Sequence, residues 1–195
     1  MEENRIFEIV FILDRSGSMG SIREDTIGTF NSLLAEYREA LGKILVSVVL
    51  FNGETTPLFT RAPISEVPDL TLKDYVPSGC TALCDAAGRT ITAVLSRQAA
   101  DAPEEKPDKT LLFIMTDGLE NASRNYTGDA VRALVETTRT ANHWEYSFYG
   151  ANFDAVEVGR SYGFTADESA SFCADPEGMI KFKKYASKKL KDFLN

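Results

Sequence analysis

The chain has 195 residues, 44% of them hydrophobic and 26% charged. Those are the proportions of one globular domain and exclude a disordered, collagenous or membrane-spanning chain. At this length folding removes roughly 70% of the extended chain's surface from water, so neither a disulfide nor a metal is needed to complete a core. Twenty-one Lys and Arg against 29 Asp and Glu leave a net charge of −8, which argues against an overall attraction to nucleic acid or to an anionic membrane surface.

The first residues, MEENRIFEIVFIL, carry acids where a signal peptide carries bases, and their apolar run is too short to span a bilayer, which predicts a cytoplasmic protein. Cys80, Cys84 and Cys173 are too few for a secreted disulfide scaffold and are expected as reduced thiols. Ile6 to Leu13 is almost continuously apolar and reads as a strand buried on both faces. It ends at Asp14, and beyond the polar loop 14–20 a capping box of Ser21 and Glu24 should open a helix. That helix would carry Ile27, Phe30, Leu34, Tyr37 and Leu41 on one face and be closed by Gly42.

Ile44 to Phe51 is a second apolar strand. Asn52-Gly53 is a hairpin signal, so the next strand, Thr56 to Arg61, should run antiparallel, and Pro57 suits an edge position. An irregular crossing with Pro63, Pro68 and Pro77 leads to a helix over 82–98 with Leu83, Ala87, Ile91, Val94 and Leu95 on one face. A charged connector follows, then a buried strand over Thr110 to Thr116. Next come a helix capped by Thr127 and carrying Val131, Leu134 and Val135, and a strand over Trp144 to Tyr149. Asn152 is expected to cap a short helix ending near Gly163, Ser169 to Cys173 to form a sixth strand, and Asp175-Pro176 to open a terminal helix. This order of strands and helices predicts a single three-layer α/β sandwich over residues 1–195, with helices on both faces of a mostly parallel, Rossmann-like six-stranded sheet and one antiparallel edge strand.

Ligands in such folds sit beyond the carboxyl ends of the strands. Three segments should meet there: Asp14-Arg15-Ser16-Gly17-Ser18 after the first strand, Thr81 at the start of the second long helix, and Asp117-Gly118 after the strand that begins near Thr110. They offer two carboxylates and three hydroxyls. This all-oxygen set suits a hard octahedral cation, Mg²⁺ or Mn²⁺, better than zinc. The bland alternative is that Asp14, Ser16 and Ser18 only shape a turn and cap a helix, and that Asp117-Gly118 is an ordinary turn.

Together with Gly79-Cys80-Thr81-Ala82-Leu83-Cys84-Asp85-Ala86 and Thr116-Asp117-Gly118, the DxSxS segment resembles the metal-ion-dependent adhesion site of von Willebrand factor type A domains. The segment Gly150-Ala151-Asn152-Phe153-Asp154-Ala155 looks like the small stand-alone members of bacteria and their phages. The resemblance implies that Ser16 and Ser18 bind the cation directly, Asp14 and Asp117 directly or through water, and Thr81 in either way. It also implies that an Asp or Glu of a partner protein completes the coordination, and that the terminal helix can shift when the coordination changes, although for a small stand-alone domain a fixed helix that only completes the core is the favoured reading. An apolar face of Met179, Phe182, Tyr185, Ala186, Leu190 and Phe193 would dock that helix, with its lysines solvated.

Competing readings are weaker. Cys80, Cys84, Cys173 and His143 lie in four different parts of the expected fold and lack zinc-site spacing, and His143 reads as a strand-start residue. An aspartyl phosphatase would need a second carboxylate two residues after Asp14, where Ser16 stands. No GxxxxGK[ST] or GxSxG segment occurs. A binding module is therefore expected rather than an enzyme, with a Mg²⁺-dependent hydrolase or a metal-independent structural subunit as the alternatives.

Overall fold

The protein is described here from a computed structural model that covers residues 5–38 and 42–195. Its centre is β1 (Ile6–Asp14), every residue of which is buried, as the unbroken apolar run requires of a strand flanked on both sides. Parallel partners lie on either side of it, β2 (Lys43–Phe51) and β4 (Lys109–Thr116). Outward from β2 runs β3 (Thr55–Pro63), antiparallel and at the edge, with Pro57 opposite Val49. Outward from β4 run β5 (Glu145–Ala151) and the short β6 (Ser169–Phe172), both parallel. The order β3-β2-β1-β4-β5-β6 makes β1 and β4 the pair at which the winding reverses, the place where open α/β sheets bind ligands.

Two cores lie on the two faces because side chains alternate along each strand. Phe7, Ile9, Phe11 and Leu13 of β1 pack with α1 (Arg23–Tyr37) and α5 (Pro176–Leu194), where Phe11 meets Phe30 edge-on at 5.2 Å and Phe172 stacks on Phe182 at 5.1 Å. Val10 and Ile12 pack on the other face, with α2 (Leu83–Ala100), α3 (Gly128–Asn142) and α4 (Ala155–Ser161). No helix among the described residues is long and apolar enough to cross a membrane.

Several local expectations need correction. A 3₁₀ turn over Gly17–Ile22 delays α1 until Arg23, so Ser21 lies inside the turn with its hydroxyl on the Ser18 carbonyl and caps nothing. The helix is described to Arg38, and Leu41 lies outside the described residues; Gly42, at φ +94°, stands immediately before β2. The cap of α4 is Asp154, which accepts from the N–H groups of Val156 and Glu157, while Asn152 sits in the left-handed region and receives the Ala174 N–H. His143 is the left-handed C-cap residue of α3. On α5, Met179, Phe182, Ala186, Leu190 and Phe193 are buried as expected, but Tyr185 is 56% exposed and lies off the docking face. Thr127 and Asp175 cap α3 and α5 in the expected way.

Candidate metal centre

Asp14 ends β1 and turns its carboxylate back into the loop that follows. Its Oδ1 accepts the Ser16 N–H at 2.6 Å and its Oδ2 accepts the Thr116 hydroxyl at 2.5 Å. Thr116, the last residue of β4, also receives the Gly118 N–H on its hydroxyl oxygen at 3.2 Å, so one side chain sets both the Asp14 carboxylate and the turn that carries Asp117. From the other side the Tyr75 hydroxyl donates to the Asp14 carbonyl. Ser18 then closes the ring: its hydroxyl donates to Asp117 Oδ1 at 2.6 Å and lies 3.2 Å from that of Ser16. Four of the five expected residues are thus joined by hydrogen bonds within one small rim.

Thr81, the fifth, arrives from the loop before α2. Its hydroxyl sits over Gly118, where a Cβ at residue 118 would lie 3.0 Å from it, so any larger residue would press on the Thr81 hydroxyl. The Thr81 backbone is held by Asn121 through a reciprocal pair, Thr81 N–H to Asn121 Oδ1 at 2.9 Å and Asn121 N–H to the Thr81 carbonyl at 3.0 Å. The loop after Asp14 is fastened to the same segment, Gly17 N–H donating to the Gly79 carbonyl at 3.0 Å. Gly79 occupies φ +75°, a conformation other residues adopt at a cost.

Two further carboxylates brace the rim from behind. Glu120 accepts from the Cys84, Ala122 and Ser123 N–H groups and from the Ser123 hydroxyl. Asp85 accepts the N–H groups of Arg124, Asn125 and Tyr126 and the Asn125 amide. In both, burial pushes the pKa up, but these donors outweigh it and the carboxyl lies below its ordinary value. They clamp the loop after β4 to the start of α2. From the sequence, Glu120 and Asn121, close to Asp117, could shape the metal rim or merely begin the loop leading to Thr127, and Asp85 could be a supporting acceptor or a helix residue; Thr116 is visible only as the neighbour of Asp117. Tyr75 gives no signal in the sequence, because its contact with Asp14 spans 61 residues.

The electrostatics of the rim run the other way from those braces. Asp14 is fully buried, and desolvation lifts its pKa to about 6 against the opposing hydrogen bonds of Thr116 and Ser16, with the charge of Asp117 adding to the rise. Burial raises Asp117 as well, opposed by the Ser18 hydroxyl. Neither carboxylate forms an ion pair among the described residues. Two acids held at short range by neutral hydroxyls, one buried and one opening to solvent, fit a hard divalent cation, which would relieve the desolvation that raises both. Among the described residues no three His, Cys, Asp or Glu side chains gather as a metal-binding group, and all three cysteines are unpaired. The zinc alternative of Cys80, Cys84, Cys173 and His143 has no structural basis. Cys84 is a buried thiol pushed up to about 12 by that burial and by Glu120.

No protein-family profile matches the chain, and no curated protein sequence does. Solved structures do. The von Willebrand factor domain of the type V pilus tip protein Mfa5 from Porphyromonas gingivalis superposes with a TM-score of 0.65 at 10% identity, over 97% of this chain and 97% of that one. Proximal thread matrix protein 1 from the mussel byssus, in a form whose metal-ion-dependent adhesion motif holds zinc, gives 0.62 at 14% identity over 95% of this chain. The manganese-loaded TRAP protein of Plasmodium vivax gives 0.59 at 14% identity over 95% of this chain and 74% of that one. The chain spans 46% of the length of the mussel protein. At these identities the likeness is one of fold: an α/β sandwich of the von Willebrand factor type.

Proposed function

We propose that the chain is a divalent-cation-dependent protein-binding module. Asp14, Ser16, Ser18, Thr81 and Asp117 would hold Mg²⁺ or Mn²⁺, and an Asp or Glu of a partner protein would complete the coordination. The observation that carries this reading is the rim itself: two carboxylates, both raised by burial, each take a hydrogen bond from a neutral hydroxyl and form no ion pair among the described residues. Mostly neutral donors leave a bound dication under-neutralised, so a carboxylate from outside is attracted to it. Leu119, two residues beyond Asp117, is 55% exposed and offers apolar contact to a protein surface beside the cation. Neighbours of the same fold that hold zinc or manganese support the choice of a divalent ion.

The binding reading is preferred to hydrolysis because Ser16 occupies the place where an aspartyl phosphatase keeps its second carboxylate. The segment Gly150 to Ala155 supports a place among the small bacterial and phage proteins of this type, and the three unpaired thiols suit a reducing cytoplasm.

Calorimetric titration with Mn²⁺ should show one site that Ser16→Ala/Ser18→Ala removes. An unchanged isotherm in the double variant would refute the assignment. Mg²⁺-dependent turnover of a generic phosphate ester that vanishes in Asp14→Ala would instead establish an enzyme.

A further inference from the structure

Beside the rim and outside its five residues lies a cavity of about 490 Å³ between the β2–β3 hairpin, Cys80 and the braced loop after β4, with Thr55, Arg89 and Arg124 in its wall. Thr55 and Arg89 are also part of the wall of a second cavity, of about 370 Å³, between β3 and α2, where Val49, Pro57, Phe59 and Ala93 supply an apolar lining. Thr55 and Arg89 border both cavities, so the two lie end to end along α2, from beside the metal rim to Arg97, as one grooved face. From Asp85 to Arg97 it follows α2 for about 18 Å, at 1.5 Å per residue, which matches about five or six residues of extended chain.

Two observations point to an occupant. Arg89, Arg97 and Arg124 make no ion pair among the described residues, although the chain carries a net charge of −8. Glu54 and Asp85 are the acids in the wall of the cavity beside the rim, and Asp85 is already saturated by four donors. Arg97, further along, lies close enough to the buried Glu8 for its charge to pull that carboxyl's pKa down, so Arg89 and Arg124 are the guanidinium groups with the least internal compensation. Second, Thr90 in the apolar part is 6% exposed, yet its hydroxyl has no partner, and neither has the buried Arg97 Nε. Ser96 and Thr138 bond back to a carbonyl four residues earlier; Thr90 does not, a property it shares with Thr26 of α1, but Thr90 opens onto the groove.

We infer that this groove receives the partner segment next to the carboxylate that completes the metal site: an extended acidic stretch whose acids meet Arg124, Arg89 and Arg97 and whose apolar side chain enters between β3 and α2. The inference rests on the metal-dependent reading of the rim and adds what the partner must look like beyond its single acid. Guanidinium groups aligned along a slot select carboxylates at matching spacing, while the apolar lining supplies contact area that does not depend on salt.

An array of octapeptides that all begin with Glu and vary the remaining positions among acidic, basic, neutral polar and apolar residues tests this. The fluorescently labelled protein is applied in Mn²⁺ and in EDTA. The expected pattern is retention, in Mn²⁺, of peptides bearing further acids and an apolar residue after the Glu. Arg89→Gln/Arg124→Gln should weaken the best acidic peptide about tenfold, with its salt dependence reduced. Ala93→Trp, at an exposed helix position that fills the groove, should abolish the preference for an apolar residue. Both variants should keep the Mn²⁺ isotherm of the parent.

If Mn²⁺ binds but any Glu-bearing peptide is retained equally, or if the variants leave the ranking unchanged, the groove assignment is overturned and the metal reading survives. If Mn²⁺ does not bind while acidic peptides still depend on Arg89 and Arg124, the metal reading fails and the groove stands. A Mn²⁺-loaded dimer that Arg89→Gln/Arg124→Gln returns to monomer would assign the groove to a second copy of this chain and overturn the acidic-peptide proposal.

Discussion

Strand β1 carries a fully buried carboxylate near each end, Glu8 and Asp14, on the same face of the sheet as Val10 and Ile12 and about 20 Å apart at the rise of an extended chain. Burial raises the pKa of both. They differ in what the fold sets against them. Glu8 faces Arg61, which reaches over from the edge strand with Nε 3.5 Å away and is itself paired to Asp101 at 2.7 Å. Gln98 donates to Glu8 and Thr110 and accepts from Trp144, which ties the network to α2, β4 and the residue before β5. Asp14 faces only hydroxyls, an N–H group and a second carboxylate. A buried charge is tolerated when its counter-charge is at hand; the chain supplies one at the first end of the strand, whereas at the other end no ion pair reaches Asp14 among the described residues, and the proposed cation would take that place.

The largest effect that would sharpen this contrast lies at Glu8. Arg61→Met should cost about 3 kcal/mol of stability in urea denaturation, the low end for breaking a buried pair because Arg61 keeps some exposure, and should leave Mn²⁺ affinity unchanged. A loss below about 1 kcal/mol would mean that the pair is not what holds Glu8 in place.

Next comes the cation. Mn²⁺ at a hundredfold excess over its dissociation constant should stabilise the protein by about 2.7 kcal/mol, a rise of several degrees in Tm for a domain of this size. Asp14→Asn should abolish that rise and Arg61→Met should keep it, both read by calorimetric melting with and without metal. Equal rises in parent and Asp14→Asn would erase the distinction between the two ends.

Thr116→Val removes the hydroxyl that orients Asp14 and the turn of Asp117. It should cost about 2 kcal/mol, as expected for a hydrogen bond to a charged group, and should also weaken Mn²⁺ binding, so that a variant with parental metal affinity would exclude Thr116 from positioning the site. The smallest effect is in the pH dependence. A raised carboxyl pKa means that the folded state binds the Glu8 proton more readily than the unfolded chain, so the stability linked to it is full below the ordinary value of 4.5 and declines as pH rises through the raised value. Glu8→Gln should therefore lose stability less steeply above pH 4.5 than the parent in urea titrations across that range. Parallel curves would show that Glu8 does not titrate there.

Much of the architecture was legible because its signals are local. The unbroken apolar runs marked β1, β2 and β4, Asn52-Gly53 marked the antiparallel edge, and Thr127 and Asp175 marked helix starts. Those features depend on pleat, turn and cap geometry within a few residues. The failures have equally local causes. Ser21 with Glu24 has the form of a capping box, but the 3₁₀ turn over Gly17–Ile22 consumes the serine. Tyr185 fits a helical apolar stripe by spacing, yet it lies 56% exposed while Ala186 takes the buried place.

Of the candidate site, the sequence by itself determined the oxygen donors and their order along the chain: Asp14, Ser16 and Ser18 on one loop, Thr81 before a helix, Asp117 after a strand. Only the tertiary structure decided how deeply each is buried, and with it the electrostatics, because desolvation depends on what every other segment places around a carboxylate. Only the structure, too, brought Thr116 to Asp14, 102 residues away in the chain, and Tyr75 to the carbonyl behind it. It also set Arg61 against Glu8 and left Arg89 and Arg124 without an ion pair among the described residues. The pairing of charges between distant segments is fixed by sheet order and helix packing, which no spacing along the chain encodes.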